Sequence, residues 1–163
     1  MSSRNGELLV DGDTAVIRFV RHLPYPIEAV WAAIADPQQR AEWFGKTVIA
    51  DGMIDMVPAG PPWPVEVKRM TGRILVWDPP HVLEHEWQQS IIEDSVVRYE
   101  LTADGPGTVL QFTHRGLGVR NATGFTPGTH TYLDRLEAFL AGTPRPNWSE
   151  RYDAVAVQYG QAP

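Results

Sequence analysis

Three histidines, His85, His114 and His130, are the first residues in this sequence whose type and spacing could do chemistry. His85 shares a period-2 phase with Leu83 and Trp87, and His114 shares one with Leu110 and Phe112, so both fall on the apolar side of a strand. His130 opens the long helical stretch that should face them. Imidazoles converging on a cavity can orient a ligand, act as a general base or bind metal. The plainer reading makes each a core histidine satisfied by a backbone carbonyl or a water, and it is preferred, because ring nitrogens are easily satisfied. A three-histidine zinc site needs all three nitrogens within about 2.1 Å of one ion. Nothing in the spacing demands that, and no H-E-x-x-H motif is present. No metal and no other cofactor is expected.

Arg21 shares strand phase with Ile17 and Phe19. It can reach an acidic ligand, or pair with Glu84, Glu86 or Asp78. Pairing is preferred, because an unpaired buried guanidinium is costly. Glu86 and Glu100 fall on the opposite phase and are expected in solvent. No carboxylate pair is placed as an acid and base, and Ser95 and Thr113 lie in no nucleophile motif, so no catalytic residue is assigned. Trp87, Tyr99 and Phe112 share the predicted face of the histidines and are expected to line a cavity with them. Trp63, in a proline-rich loop, is the candidate for a lid or a partner contact. Absence of cysteine removes thiolate metal sites, disulfides and cysteine nucleophiles, and fits a reducing, cytoplasmic setting.

Elements must hold these residues in place. Thr14 to Leu23 reads as a strand that Pro24-Tyr25-Pro26 ends. Ile27, Val30, Trp31 and Ile34 then mark one face of a helix. Asp36 can cap a second short helix, Pro37 to Phe44, that buries Trp43 and Phe44. Thr47 to Val57 reads as one strand, and Val65 to Trp77 as another with a kink near Gly72. Three alternating runs follow, around Leu83–Trp87, Val97–Leu101 and Leu110–His114, forming an antiparallel meander with one apolar face. Ala103 to Gly107 is the hairpin turn between the last two. After a Gly-rich turn at Gly116 to Gly118 comes the strongest helix, faced by Tyr132 or Leu133, Leu136, Phe139 and Leu140 and stopped by Gly142 and Pro144. Ser149 to Tyr159 reads as a short terminal helix. A sheet with one apolar face must be covered, and the long C-terminal helix is the only long amphipathic element left to cover it.

The chain of 163 residues suits one domain, with 43% hydrophobic and 21% charged residues. A net charge of -6 and no basic run interleaved with aromatics argue against nucleic acid. No apolar stretch approaches the roughly 20 residues of a membrane span. The N-terminus has no signal-peptide pattern.

With these elements in order, the sequence resembles the SRPBCC (START/Bet v-like) superfamily. It is most similar to the branch named for the C-terminal domain of the activator of the heat-shock-protein-ninety ATPase. The stretches that carry the likeness are RHLPYPIEAVWAAIADPQQRAEWF, GRILVWDPPHVLEHEW, SVVRYELTADGPGTVLQFTHRGL and GTHTYLDRLEAFLAG, in the family's order from about Thr14 to Gly142. Asp51-Gly52 with a proline-rich insertion replaces the family's frequent G-G pair, and Gly128-Thr129 stands where the family favours Gly-Trp, which would reshape the cavity mouth.

The resemblance implies an α+β helix-grip fold: a curved antiparallel sheet of about six or seven strands around a long C-terminal helix, with two short helices after the first strand. It implies a START-like domain over residues 1–142, an extension over 143–163 with a short helix packed on it, and an internal cavity. It implies no particular reaction. The expected function is binding of a small hydrophobic ligand, aromatic or acyl, between sheet and helix. The alternatives are a cyclase- or hydrolase-type enzyme using His85 or His114, and a chaperone-associated interaction module. A homodimer stays open.

Overall fold

The computed structural model describes residues 4–160. The strand expected over Thr14–Leu23 (β2) forms with those bounds, and Ala15, Ile17, Phe19, Arg21 and Leu23 all turn into the core. It is the second strand. Glu7–Asp11 forms β1 ahead of it, mostly exposed and so without the alternation that would mark it in sequence. Proline 26 leads into α1 (Ile27–Ala35), and Val30, Ala33 and Ile34 are fully buried. The Asp36 carboxylate accepts from Gln38 N at 3.0 Å and starts α2 (Pro37–Arg40). That helix stops four residues short of the expected Phe44, yet the turn after it still buries Trp43 and Phe44.

Two of the expected long strands divide. Thr47 to Val57 is a hairpin, β3 (Gly45–Ala50) and β4 (Met53–Pro58). Asp51 and Gly52 both take positive φ, 54° and 74°, the backbone of a tight two-residue turn. The stretch from Val65 begins as one helical turn, α3 (Val65–Lys68), before β5 (Met70–Asp78). Gly72 is needed in β5, because a Cβ there would lie 1.9 Å from the Glu86 carbonyl oxygen. The meander follows as β6 (Val82–Trp87), β7 (Ser95–Asp104) and β8 (Gly107–Gly118).

All neighbours pair antiparallel in one eight-stranded sheet, ordered β1-β2-β8-β7-β6-β5-β4-β3. The count exceeds the expected six or seven because of β1 and the divided β3–β4 hairpin. The long helix α4 (Val119–Ala141) packs against β1, β2, β8 and α1, the helix-grip arrangement. It begins well before His130, which therefore lies in mid-helix rather than at its start. The early turns were hidden by Gly124, Pro127 and Gly128, poor helix formers. Thr123, Thr126 and Thr131 each donate a hydroxyl proton to the carbonyl one turn back. Gly142, at φ 72°, closes the helix. The extension carries α5 (Trp148–Gln158), which lies on α4 and buries Val155 and Ala156. Among the described residues no helix is long and apolar enough to cross a membrane.

Candidate functional site

Strand register fixes which side chains meet. His85 pairs with Val97, Val97 with His114, and His114 with Ile17, so these four form one row across the concave face. Leu83, Tyr99, Phe112 and Phe19 form the next. Between this face and α4 lies a cavity of about 340 Å³. Trp87, Tyr99, Phe112 and His114 line it from the sheet. Gly124, Phe125, Gly128, Tyr132 and Leu133 line it from α4, and Trp43 and Phe44 from the turn after α2. The mouth is framed by the loop from Pro58 to Trp63 and by Trp148 and Tyr152 of α5. Tyr132 ties roof to mouth: its hydroxyl donates to Gly60 O at 2.6 Å and accepts from Gly60 N at 3.1 Å. Burial pushes that hydroxyl above its usual pKa.

Of the residues singled out in sequence, Trp87, Tyr99, Phe112, His114 and Trp63 border the cavity. Trp63 is 45% exposed at the mouth. The other three lie elsewhere. His85 is fully buried beside Trp87, and its Nδ1 meets Glu86 O at 2.9 Å. A carbonyl only accepts, so Nδ1 carries the proton and Nε2 is a buried lone pair without a partner. His130 lies outside the cavity, edge-on to Phe19 of β2, with Nδ1 2.8 Å from the Tyr159 hydroxyl and Nε2 3.4 Å from Asp134 Oδ2. Arg21 forms an ion pair, as preferred, but with Asp134 (3.0 Å) and Glu137 of α4 rather than with Glu84, Glu86 or Asp78. Glu84 and Glu86 are held instead by Arg98 and Arg115, and by Arg73.

His114 is the one histidine on the cavity. Its Nε2 stands 2.8 Å from Ser95 Oγ, and Ser95 Oγ donates to Trp87 O at 3.3 Å. The serine proton is thereby committed, so His114 Nε2–H is the donor and Nδ1 the lone pair. Burial first, and the neighbouring His85 second, lower the His114 pKa to about 3. Burial and the Arg40 charge lower that of His85 to about 4. Both rings are neutral near pH 7. A neutral imidazole this hard to protonate is a poor general base, and the serine beside it spends its proton on a carbonyl.

Sequence did not assign to the cavity Trp43 and Phe44, expected only as buried, Tyr132 and Leu133, expected only as a helix face, or Phe125, Trp148 and Tyr152. Trp148 and Tyr152 lie in the extension, where only a weak helical period showed. Phe125 lies in the Gly- and Pro-interrupted start of α4.

Residues 24–141 match the family model described as Activator of Hsp90 ATPase homolog 1-like protein. The chain belongs to this family. That places it in the SRPBCC superfamily, in agreement with the helix-grip architecture. The solution structure of the protein encoded by gene BPP1335 from Bordetella parapertussis is similar to it, with 27% identity and a TM-score of 0.71 over 93% of this chain and 87% of that one. The crystal structure of CalU16 from Micromonospora echinospora matches with 24% identity and a TM-score of 0.68 over 96% of both chains. DynU16, a protein in the dynemicin biosynthetic locus, matches with 21% identity and a TM-score of 0.69 over 81% of this chain and 49% of its own. The last two likenesses establish the fold alone. No protein of curated function is similar in sequence at a significant level.

Proposed function

We propose that the chain binds one small, largely apolar aromatic molecule in the space between the sheet and α4. The observation that carries this reading is the aromatic wall: Trp43, Phe44, Trp87, Tyr99, Phe112 and Phe125 surround a void of about 340 Å³. Ligand pockets run from roughly 300 to 1,000 Å³ and are lined mainly by apolar and aromatic groups with few polar tips. This void sits at the lower end and suits a single compact ligand. Aromatic rings favour offset or edge-on partners at centroid distances of about 4.5–7 Å, and a flat ligand meets rings here from sheet and helix together. CalU16 and DynU16 share the fold and support a ligand-holding scaffold without specifying what it holds.

The enzyme alternative has less behind it. His114 is the one imidazole on the sheet side of the cavity, and its ring nitrogen Nε2 meets a serine hydroxyl rather than a carboxylate that could hold a proton for it. The interaction-module alternative has only the family description behind it. Differential scanning calorimetry with a panel of one- and two-ring aromatics tests the binding reading. A saturable rise in Tm is expected for at least one of them, and a Tm flat across the panel at millimolar ligand would overturn it.

A further inference from the structure

The cavity is backed by a buried cation that pairs with no carboxylate among the described residues. Arg40 is 0% exposed. Its Nη1 donates to Ile34 O at 2.9 Å, its Nη2 lies 3.0 Å from Met56 Sδ, and its Nε has no partner. The Ile34 carbonyl belongs to the last turn of α1 and supplies only a partial negative charge. The guanidinium packs instead on three rings, 4.8 Å from the centre of Phe44, 5.4 Å from Trp43 and 5.6 Å from Tyr99. All three rings border the cavity. A full positive charge therefore rests against the rings that wall the binding space.

Nothing in the lining cancels it. His114 and His85 are neutral, and the one acidic lining residue, Asp153, is exposed on α5. Lys68 adds a second cation to the lining. Glu84 is engaged by Arg98 and Arg115. Trp148, also in the lining, has a buried indole N–H without an acceptor. An uncompensated buried charge is costly, and an unpaired buried donor adds to that cost. One kind of occupant relieves both.

We infer that the ligand is an acidic aromatic molecule, a phenol, enol or arenecarboxylic acid, held as its anion. The inference rests on the ligand-binding reading above and specifies its substrate class. A unit charge roughly 8 Å away at an effective dielectric near 20 corresponds to about thirtyfold in affinity for an anion over its neutral isostere. The field also reverses what an apolar cavity does by itself: burial raises a phenol's pKa, whereas a nearby cation lowers it.

The test uses the wild-type chain and 4-nitrophenol, whose ionisation is read by absorbance, and then 2-naphthoate against 2-naphthamide by isothermal titration. Bound 4-nitrophenol should ionise at least one pH unit lower than free, and 2-naphthoate should bind at least tenfold tighter than 2-naphthamide. Arg40→Met, of similar length and apolar, should abolish that preference, and Arg40→Lys should keep part of it. The wild-type measurements decide the matter if Arg40→Met does not fold. An upward pKa shift on binding, or equal or tighter binding of the amide, overturns the inference and leaves the cavity reading standing. A preference unchanged in folded Arg40→Met also overturns it. Failure of both naphthalenes and the phenol to bind overturns both readings.

Discussion

The indole of Trp148 lies 4.9 Å from the Tyr152 ring and within 19° of parallel to it. The same indole meets the mouth: a Cβ on Gly60 would come 2.2 Å from Trp148 Cδ2, and the Tyr132 ring is 5.9 Å away. Helix α5 thus closes the cavity by packing an indole onto the backbone of the proline-rich loop. Trp148→Ala removes that closure. It should lower stability by about 1–3 kcal/mol, less than loss of a fully buried tryptophan, and speed ligand dissociation at least tenfold. Denaturant unfolding and stopped-flow dissociation measure the two. Unchanged dissociation would show that α5 does not cover the site.

Asp134 anchors that closure. Its side chain is 6% exposed and meets Arg4 at 2.8 Å, Arg21 at 3.0 Å and Arg151 of α5 at 2.6 Å, with His130 Nε2 at 3.4 Å. Burial pushes its pKa up, but His130, Arg151 and Arg21 outweigh burial and hold it well below the usual carboxylate range. Asp134→Ala leaves Arg21 buried with Glu137 alone, and should cost about 3–5 kcal/mol. Urea denaturation checks this. Proteolysis of the variant should cut first near α5, where Arg151 loses its partner.

Acid sensitivity has two sources with the same sign. His85 and His114 titrate near 6.5 when unfolded but at about 4 and about 3 when folded. Between pH 6.5 and 4 the unfolded chain therefore binds more protons. Stability should fall with pH there by up to about 1.4 kcal/mol per pH unit for each ring. Asp134, with its depressed folded pKa, adds stability above the unfolded carboxylate range that is lost at still lower pH. Unfolding curves from pH 8 to 4 should be flat above about 7.5 and steepen below 6.5. His114→Gln should lessen the slope by up to one ring's share, and an unchanged slope would contradict the burial argument.

Much of this was legible in sequence where periodicity was strong. Thr14–Leu23 and the meander alternate cleanly, so register placed Trp87, Tyr99, Phe112 and His114 on one face. Where local chemistry overrides pattern, the structure departs from the periodicity. Asp51-Gly52 turned one strand into a hairpin through two positive φ angles, and the glycines and Pro127 of α4 masked its first turns. His85 and His114 look equivalent by phase, yet only His114 borders the cavity. Arg21 and His130 found Asp134, a partner more than a hundred residues from Arg21, which no local spacing reveals. Arg40 lay inside an expected short helix with nothing to mark its burial.

The cavity itself is tested most directly by obstructing it. Gly124 borders the cavity on α4 but is itself exposed, so it stands at the rim, and a Cβ there meets nothing within 4 Å. Gly124→Leu places a side chain at that rim and replaces a poor helix former with a good one, worth about 1 kcal/mol. Isothermal titration of 2-naphthoate into wild type and Gly124→Leu, with Tm recorded for both, is the decisive measurement. Saturable one-to-one binding to wild type, lost in a variant whose Tm is equal or higher, is the expected result. Binding of the same affinity to folded Gly124→Leu would mean that the ligand sits elsewhere and that the space beneath α4 is not the site.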